Sequence, residues 1–445
     1  MKKFRLATLA SSLALLFATN ASSLTLEESY NLALTNDITY QSAKAVLEGS
    51  IANANTNYAN VLPTVGFNYN WSLNRNLSAD RNLQSYLSTV SISLSQNIFS
   101  MSAFYSLDVA SKTKRQAEIT YITAKQDLIN RVITRYVAVL TANANLIISE
   151  NNVKYYEQVY KSTSTRFNAG LVSAADLDTA SSNLNSARAT YIQSKASLET
   201  ALSNFSLVVG QETSLDEFYT LGDNTPRLNY SKDVNDINNN LTLKSLAMTK
   251  ELARLNHKVA VAAYLPTLSL SASLGNSSSN TVQYGERNWG AAHRLDRLQV
   301  GITLTVPIFQ GGQIYNNSKY YKSLYTQSAY SYDQTYLETK NNFTTNLKTI
   351  SYDEDIIRTY RDSLASARKA YNSTQAAYRA GTASITTLIN SVNQLYTVEQ
   401  NLTNAKFDYI TAVVQQKILS GTLTEDDIKE ISQFFTVKQE IKLVD

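Results

Sequence analysis

The sequence predicts a mainly α-helical chain with a smaller transmembrane β part, built as a tandem repeat, and three observations indicate it. The chain has 445 residues but only 4 prolines and 13 glycines, well below the average usage of about 5% and 7%, so few positions interrupt a helix. Blocks of sequence return in the second half of the chain in the same order. Four stretches alternate apolar with small polar residues, which is typical of β-strands.

Composition excludes several classes of protein. The chain has no cysteine and only 2 histidines. It therefore has no disulfide scaffold, no thiol catalysis, no lipid attached to cysteine and little from which to build a metal site. The formal net charge is +4, and three of the basic residues are Lys2, Lys3 and Arg5. Because the rest of the chain is nearly neutral, we expect no nucleic-acid partner.

Residues 1–21 are predicted to form a secretory signal peptide. A basic start precedes an apolar run from Leu6 to Ala18, and Thr19-Asn20-Ala21 offers a small-residue cleavage site. That run is too short for a membrane-spanning helix, which needs about 20 residues. No other stretch reaches 18 apolar residues, so the mature chain is expected to have no transmembrane helix and to enter a membrane only as strands.

The duplication is visible in separate blocks. Val61-Leu62-Pro63-Thr64 returns 203 residues later as Tyr264-Leu265-Pro266-Thr267, and Phe167-Asn168-Ala169-Gly170 returns 211 residues later as Tyr378-Arg379-Ala380-Gly381. Pro226 lies between the halves. The predicted division is a first repeat at 22–222, a linker at 223–240, a second repeat at 241–420 and a C-terminal tail at 421–445.

Each repeat is expected to contain a first helix, a β-hairpin, a very long helix and a return helix. The long helices are predicted at 101–169 and 312–380, and the return helices at 174–209 and 385–419. Apolar residues recur at a strict interval of seven along them, for example at Val132, Val139, Leu146, Val153, Tyr160 and Phe167. A heptad repeat held over several turns indicates a left-handed coiled coil, so these columns predict helix-to-helix packing and no chemistry.

The hairpins are predicted at 65–98 and 267–308. One face of each strand is apolar, and the other carries almost only Ser, Thr, Asn and Gly, as in a barrel with lipid outside and water inside. A half-buried sheet of a soluble domain would alternate in the same way, but the small polar face has no bulky filler. Four strands cannot close a barrel, and an open edge in lipid is not tolerated. Two, three or four chains would give 8, 12 or 16 strands, and the pattern does not choose among them.

Several short motifs, taken together with the tandem repeat, resemble the TolC-type outer-membrane efflux family. The motifs are Leu62-Pro63-Thr64, Leu265-Pro266-Thr267, Asn97-Ile98-Phe99, Pro307-Ile308-Phe309-Gln310-Gly311-Gly312, Gly170-Leu171 and Gly381-Thr382. The resemblance implies a homotrimer with a 12-strand β-barrel in outer-membrane lipid, joined to a 12-helix coiled-coil tunnel in the periplasm of a Gram-negative bacterium. It also implies that the linker and tail form an equatorial belt, and that a periplasmic adaptor and an inner-membrane transporter are partners.

The same resemblance assigns the end of the helices farthest from the strands. The adaptor would dock on the two turns, which contain Gly170, Leu171, Val172, Ser173, Gly381, Thr382, Ala383 and Ser384. The periplasmic aperture would be lined by Tyr378, Thr387 and Asn390, with Asp176 near it. Well-known members carry aspartates at the positions of Thr387 and Asn390 and an arginine at the position of Ala383. We therefore expect a less acidic aperture here.

The expected function is that of a passive exit duct in a tripartite export system, for multidrug efflux, type I protein secretion or both. We find no catalytic constellation and expect no enzyme, cofactor or metal site. The alternative is a structural or adhesive coiled-coil protein that is anchored by strands and conducts nothing. The nature of the cargo, whether drugs, bile salts, toxins or protein, is left open by the sequence.

Overall fold

The computed structural model describes residues 24–75, 83–214, 220–221, 228–283, 293–433 and 435–436. The predicted signal peptide, the connections within the two hairpins and the end of the tail lie outside the described residues. Within the described part, the fold is dominated by two helices of 68 and 67 residues. At 1.5 Å per residue each is about 100 Å long.

The helices follow one another in the same order in both repeats. The first repeat contains α1 (Leu26–Asn36), α2 (Ile38–Ala59), α3 (Met101–Asn168) and α4 (Ala174–Val209). The linker contains a short 3-10 helix (Val234–Asn239). The second repeat contains α5 (Leu241–Ala262), α6 (Gln313–Arg379) and α7 (Ile385–Leu419), and the tail contains α8 (Glu425–Ser432).

Helices α2 and α5 show how closely the repeats correspond. Both have 22 residues, and they begin 203 residues apart. The Asp37 side chain accepts a hydrogen bond from the Tyr40 N–H at the start of α2, and the Asn240 side chain accepts one from the Leu243 N–H at the start of α5. Each residue satisfies a backbone donor that a helix start leaves unpaired. The duplication therefore extends to the helix caps.

Four long strands form one antiparallel sheet in the order β1-β2-β4-β5. They are β1 (Thr64–Arg75), β2 (Leu83–Phe99), β4 (Thr267–Gln283) and β5 (His293–Thr305). The register pairs Phe67 with Ile92, so apolar residues of neighbouring strands share one face. The sheet ends on β1 and β5, whose outer edges have no strand partner in the described part of this single chain.

The last predicted strand is shorter than expected. Alternation suggested that it runs to Ile308, but β5 ends at Thr305. Pro307 has no backbone N–H and cannot continue the ladder, and the Ile308 side chain is 94% exposed. A register shift between Asn97 and Phe99 likewise interrupts the alternation at the end of β2. Both sheet-to-helix joints are therefore irregular where the sequence pattern appeared continuous.

The core runs along the coiled coil rather than forming a globule. In the second repeat the heptad column is buried at Phe343, Ile350, Ile357, Tyr371 and Tyr378 and half-buried at Leu364. In the first repeat it is fully buried at Val132 and Val139, but its far end is not: Tyr160 is 36% exposed and Phe167 is 38% exposed. The two halves of the coiled coil are thus packed differently near the turns.

The C-terminal segment docks on the side of the bundle. The Lys417 ammonium lies 2.5 Å from Asp427 Oδ1 and 3.2 Å from Glu430 Oε2, with 8% of the lysine side chain exposed. The Tyr30 hydroxyl donates to Glu425 Oε1 at 2.7 Å, and Lys125 Nζ lies 2.9 Å from the same oxygen. A two-residue strand, β6 (Phe435–Thr436), pairs with β3 (Thr220–Leu221). These contacts tie α8 to α1, α3 and α7.

Helix α3 contains an 18-residue window with a mean hydropathy of 1.3, enough by length and composition alone to cross a membrane, and 44% of the window is buried. The expectation of no transmembrane helix rested on unbroken apolar stretches, whereas this window mixes apolar with polar residues. Leu128, Val132 and Tyr136 of α3 are fully buried against other helices of the chain. Such burial is typical of the core helix of a bundle.

Candidate functional site

Two helix-to-helix turns lie at the end of the coiled coil farthest from the sheet, and their backbones are nearly identical. In the first, the Gly170 N–H donates to the Phe167 carbonyl and the Leu171 N–H donates to the Arg166 carbonyl, both at 2.9 Å. In the second, the Gly381 N–H donates to the Tyr378 carbonyl at 3.0 Å and the Thr382 N–H donates to the Ala377 carbonyl at 2.9 Å. This pair of bonds is the Schellman motif of helix ends.

Glycine is needed in both turns because the backbone enters the left-handed region. The φ angle is +73° at Gly170 and +80° at Gly381, where an L side chain is strained. A Cβ atom built on Gly170 would meet nothing within 4 Å, whereas one on Gly381 would lie 3.3 Å from Arg166 Nη2. The second turn is therefore the more crowded of the two.

The return helices begin on serines, as predicted, but the serines have different partners. Ser173 caps α4 and forms a capping box with Asp176, whose carboxylate accepts from the Ser173 N–H at 3.1 Å and from its hydroxyl at 2.8 Å. Ser384 caps α7 by accepting from the Thr387 N–H at 3.1 Å, and its hydroxyl lies 2.9 Å from the Thr387 hydroxyl. Asp176 and Thr387 are equivalent positions of the repeats, so one turn carries a carboxylate where the other carries a hydroxyl.

Arg166 joins the two turns. Its carbonyl closes the first turn, and its guanidinium donates to the Tyr378 carbonyl in the second at 2.5 Å. The guanidinium carbon also lies 4.8 Å from the centre of the Tyr378 ring. A cation at the last carbonyls of a helix is favourable because it completes their hydrogen bonding and opposes the helix dipole. Arg166, a residue of α3, thus stabilises the C-terminal end of α6 through its side chain.

The structure corrects the assignment of Tyr378 to the aperture. Its side chain is only 3% exposed, and its hydroxyl lies 2.9 Å from the buried Thr163 hydroxyl. A ring enclosed between α3 and α6 presents almost no surface to a passage. Thr387 and Asn390 are exposed, and Asp176 is half-buried with one oxygen engaged in the capping box. These three remain the candidates for the aperture.

A cavity of about 640 Å³ lies between the two turns. It is lined by Gln158, Lys161, Ser162, Thr165, Arg166, Leu171, Arg379, Ala380 and Gly381. Three of these side chains are basic and none is acidic, and Leu171 beside them is 68% exposed. Two of the predicted docking residues, Leu171 and Gly381, thus line a basic cavity.

Sequence reasoning missed Arg166, Lys161 and Arg379. One signal was available: Arg166 stands in the last turn of α3, four residues before Gly170, and its equivalent in the second repeat is Ala377. A basic residue near the end of a helix is a common way to satisfy terminal carbonyls. The sequence could not show that Arg166 donates to a carbonyl of the other long helix, that of Tyr378 in α6.

Comparison with known proteins identifies the family. The profile of the family described as outer membrane efflux protein matches residues 29–211 and 235–422. The chain belongs to this family. The outer membrane protein TolC of Vibrio cholerae is 26% identical over 413 residues, covering 92% of this chain and 93% of that protein. The alkaline protease secretion protein AprF of Pseudomonas aeruginosa is 28% identical over 440 residues, covering 95% and 89%.

Solved structures agree on the fold. The Campylobacter jejuni CmeC outer membrane channel superposes with a TM-score of 0.79 at 18% identity, covering 98% of each chain. The open state of the Neisseria gonorrhoeae MtrE outer membrane channel gives 0.70 at 16% identity and covers 91% of each. The predicted fold class of this efflux protein, a helical tunnel joined to a transmembrane barrel, is confirmed, and so is its place in the outer membrane. The family consists of channel proteins rather than enzymes.

Proposed function

We propose that three copies of this chain form the exit duct of a tripartite export system. The observation that carries the proposal is the four-stranded sheet, which ends on two unpaired edges and exposes an apolar face. Val65 and Phe67 on β1 are 69% and 68% exposed, and Val300 and Ile302 on β5 are 65% and 67% exposed. Lipid can cover such a face, but only another strand can satisfy an edge in a membrane. Pairing β5 of one copy with β1 of the next closes a 12-strand barrel.

The opposite face of the sheet supports a conducting lumen. It carries Gly66, Asn68 and Ser72 on β1 and Ser91, Ser93 and Ser95 on β2. Small polar side chains give the lumen a hydrophilic wall without filling it, whereas a barrel filled by its own side chains would need bulky residues there. This observation favours a duct over the alternative, a strand-anchored structural or adhesive protein.

A periplasmic adaptor is the proposed partner of the two turns. Their glycines, the exposed Leu171 and the basic cavity of Lys161, Arg166 and Arg379 form one surface at the end of the molecule opposite the sheet. Exposed loop tips carried on a rigid scaffold are common binding sites. A helical adaptor tip that presents apolar and acidic side chains fits this surface. An inner-membrane transporter would supply the energy, because the duct itself is passive.

The aperture is proposed to lie just beyond the turns, where Thr387 and Asn390 are exposed on α7 and Asp176 is half-buried on α4. We infer a wider role in export than drug efflux alone, since the relatives include both TolC proteins and an alkaline protease secretion protein. Linker and tail are proposed to form the belt around the tunnel, supported by the docking of α8 on the bundle.

Planar-bilayer recording of the purified trimer tests the duct. We expect steady single-channel steps, and their absence from a correctly assembled trimer would favour the non-conducting alternative. Deleting the gene and measuring both drug susceptibility and the profile of secreted proteins tests the cargo. If the deletion abolishes drug resistance but not protein secretion, the duct exports drugs. If it abolishes protein secretion alone, the duct exports protein.

A further inference from the structure

In the strands that the structure describes, one charged residue lies on the polar face of the sheet, in the outer half. Among the strand side chains that the structure describes, at 64–75, 85–99, 267–279 and 296–305, the charged residues are Arg75, Asp296 and Arg297. Arg75 lies on the same face as the apolar residues Trp71 and Leu73, and Asp296 lies on the same face as Leu298 and Val300. Arg297 alone shares its face with Gln299, Gly301, Thr303 and Thr305.

The neighbours of Arg297 across the sheet are small and uncharged. The register aligns Asn68 with Ser91, Ser91 with Gly275, and Gly275 with Arg297. A Cβ atom built on Gly275 would lie 3.0 Å from the Val90 carbonyl oxygen and 3.1 Å from Ser91 Cβ, so this position keeps the wall beside Arg297 free of a side chain. No ion pair or hydrogen bond joins Arg297 to another residue in the described part of the chain.

The described polar face of β1 would bring no opposing charge to Arg297 when the barrel closes. In the proposed trimer β5 meets β1 of the next copy, and the polar face of β1 consists of Gly66, Asn68, Asn70, Ser72 and Asn74. Asp296 faces the other way, and its Oδ1 accepts a hydrogen bond from Asn276 at 2.5 Å. Arg297 is eight residues from the inner end of β5 at Thr305, about 27 Å along the strand. It therefore lies near the outer end of the apolar band.

We propose that Arg297, repeated three times around the closed barrel, forms a basic ring that makes the outer half of the duct select for anions. The inference rests on the proposed trimeric duct. Fixed charges of one sign raise the local concentration of ions of the other sign. The ring would favour passage of anionic cargo and give small multivalent anions, such as polycarboxylates, a weak site in the lumen. At the far aperture Thr387 and Asn390 are uncharged, and the carboxylate of the half-buried Asp176 accepts hydrogen bonds from the Ser173 N–H and hydroxyl.

Reversal potentials across a potassium chloride gradient test the ring. The recordings should use less than 0.1 M salt, because the screening length there exceeds about 10 Å and a ring in a wide lumen is otherwise screened. We expect a preference for chloride in the unmodified trimer and a fall of about twofold or more in the chloride-to-potassium permeability ratio in Arg297→Gln. Arg297→Lys should keep the preference. Gln299→Asn, on the same face, is the matched control and should change nothing.

A relocated charge and a multivalent anion sharpen the test. Arg297→Gln combined with Thr303→Arg should restore anion preference, because Thr303 lies on the same face of β5. Millimolar citrate added on the extracellular side should reduce the current of the unmodified trimer and not that of Arg297→Gln. A conducting trimer whose selectivity is unchanged by Arg297→Gln would overturn the ring and leave the duct intact. A trimer that does not conduct at all would contradict the duct, and the ring with it.

Discussion

The two repeats share a backbone but not a distribution of charge. At the start of the helix before each hairpin, the first repeat has Asp37 and the second has Asn240. After the turns the corresponding pair is Asp176 and Thr387. Before the turns, Arg166 corresponds to Ala377. At all three positions the ionised side chain lies in the first repeat and a neutral one in the second.

This difference shows that the second turn depends on the first. The first turn is closed by its own residues, with a capping box at Ser173 and an open space beside Gly170. The second turn has no carboxylate in its cap, and its terminal carbonyl at Tyr378 is served by Arg166 of the first repeat. The duplication therefore produced two turns with the same backbone conformation. The side chain of Arg166, from the first repeat, stabilises the turn of the second repeat.

The largest expected effect comes from giving the second turn the acidic groups it lacks. We predict that trivalent cations added on the periplasmic side block the unmodified channel poorly, and that Thr387→Asp with Asn390→Asp binds them at least about a hundredfold more tightly. Three copies of two new carboxylates would line one aperture, and summed like charges attract counter-ions. Single-channel recording with a trivalent lanthanide measures the block.

Asp176 is the control for that experiment. Its carboxylate is engaged by Ser173, so we expect Asp176→Asn to leave the sensitivity of the unmodified channel unchanged. Block of the unmodified channel at micromolar trivalent cation would contradict the prediction. Its loss in Asp176→Asn would then assign the role to Asp176.

A smaller effect should separate the two glycines. Gly381→Val places a β-branched residue at a φ angle of +80° and brings a side chain against Arg166, and such strain costs about 1–3 kcal/mol. We expect it to reduce export by about tenfold while the trimer still reaches the membrane. Gly170→Val carries similar strain without the crowding, and should lose less. Drug susceptibility of complemented deletion strains measures both, with trimer abundance as the control.

Normal resistance in the Gly381→Val strain would show that the glycine only ends a helix. Equal loss in both variants would show that backbone strain, rather than the crowding by Arg166, decides the outcome.

The sequence predicted the helices whose ends are marked by local signals. It did not predict the position of a side chain whose contacts come from the other repeat. Glycine, serine caps and heptads placed α4 and α7 at their observed bounds, because these signals act within one turn of a helix. The alternating pattern predicted that β5 continues past Pro307, because a pattern of side chains does not take account of the backbone N–H that proline lacks. Tyr378 was misplaced because its burial depends on Thr163 and Arg166, which are more than 200 residues away in the chain.

Removing the arginine should loosen one turn only. In Arg166→Met the side-chain hydrogen bond to the Tyr378 carbonyl and the ring contact are lost, while the Arg166 carbonyl still accepts from Leu171. We expect faster hydrogen exchange at the Thr382 amide, by a factor of about ten, since a hydrogen bond to a charged group contributes about 1.5–3 kcal/mol. The Leu171 amide, which closes the first turn, is the internal control. Equal acceleration at both amides would contradict the dependence of the second turn on Arg166.

The smallest expected effect is a difference in how the capping of α2 and of α5 contributes to stability at low pH. Burial alone would raise the pKa of Asp37, but hydrogen bonds from Arg131 and from the Tyr40 N–H outweigh it and hold the pKa below its ordinary value. Arg131 donates to both oxygens, at 2.7 and 3.0 Å. A depressed pKa in the folded protein means that the stabilisation is present above the ordinary value of about 3.9 and is lost as pH falls through the folded value. The start of α5, capped by neutral Asn240, has no such dependence.

We therefore predict that Asp37→Asn flattens the loss of stability between about pH 5 and pH 3. It would give α2 the same capping residue as α5. At neutral pH it should cost only about 1 kcal/mol, because asparagine also caps helices well and Arg131 keeps its contact with Asp127 at 3.0 Å. Thermal unfolding of the trimer followed by circular dichroism at several pH values measures the slope.

Asn240→Asp is the converse variant. Since no arginine bonds Asn240 in the described part of the chain, this variant should destabilise the trimer at neutral pH. The trimer should regain stability on acidification. An unchanged slope in Asp37→Asn would place the acid sensitivity of the fold in other carboxylates.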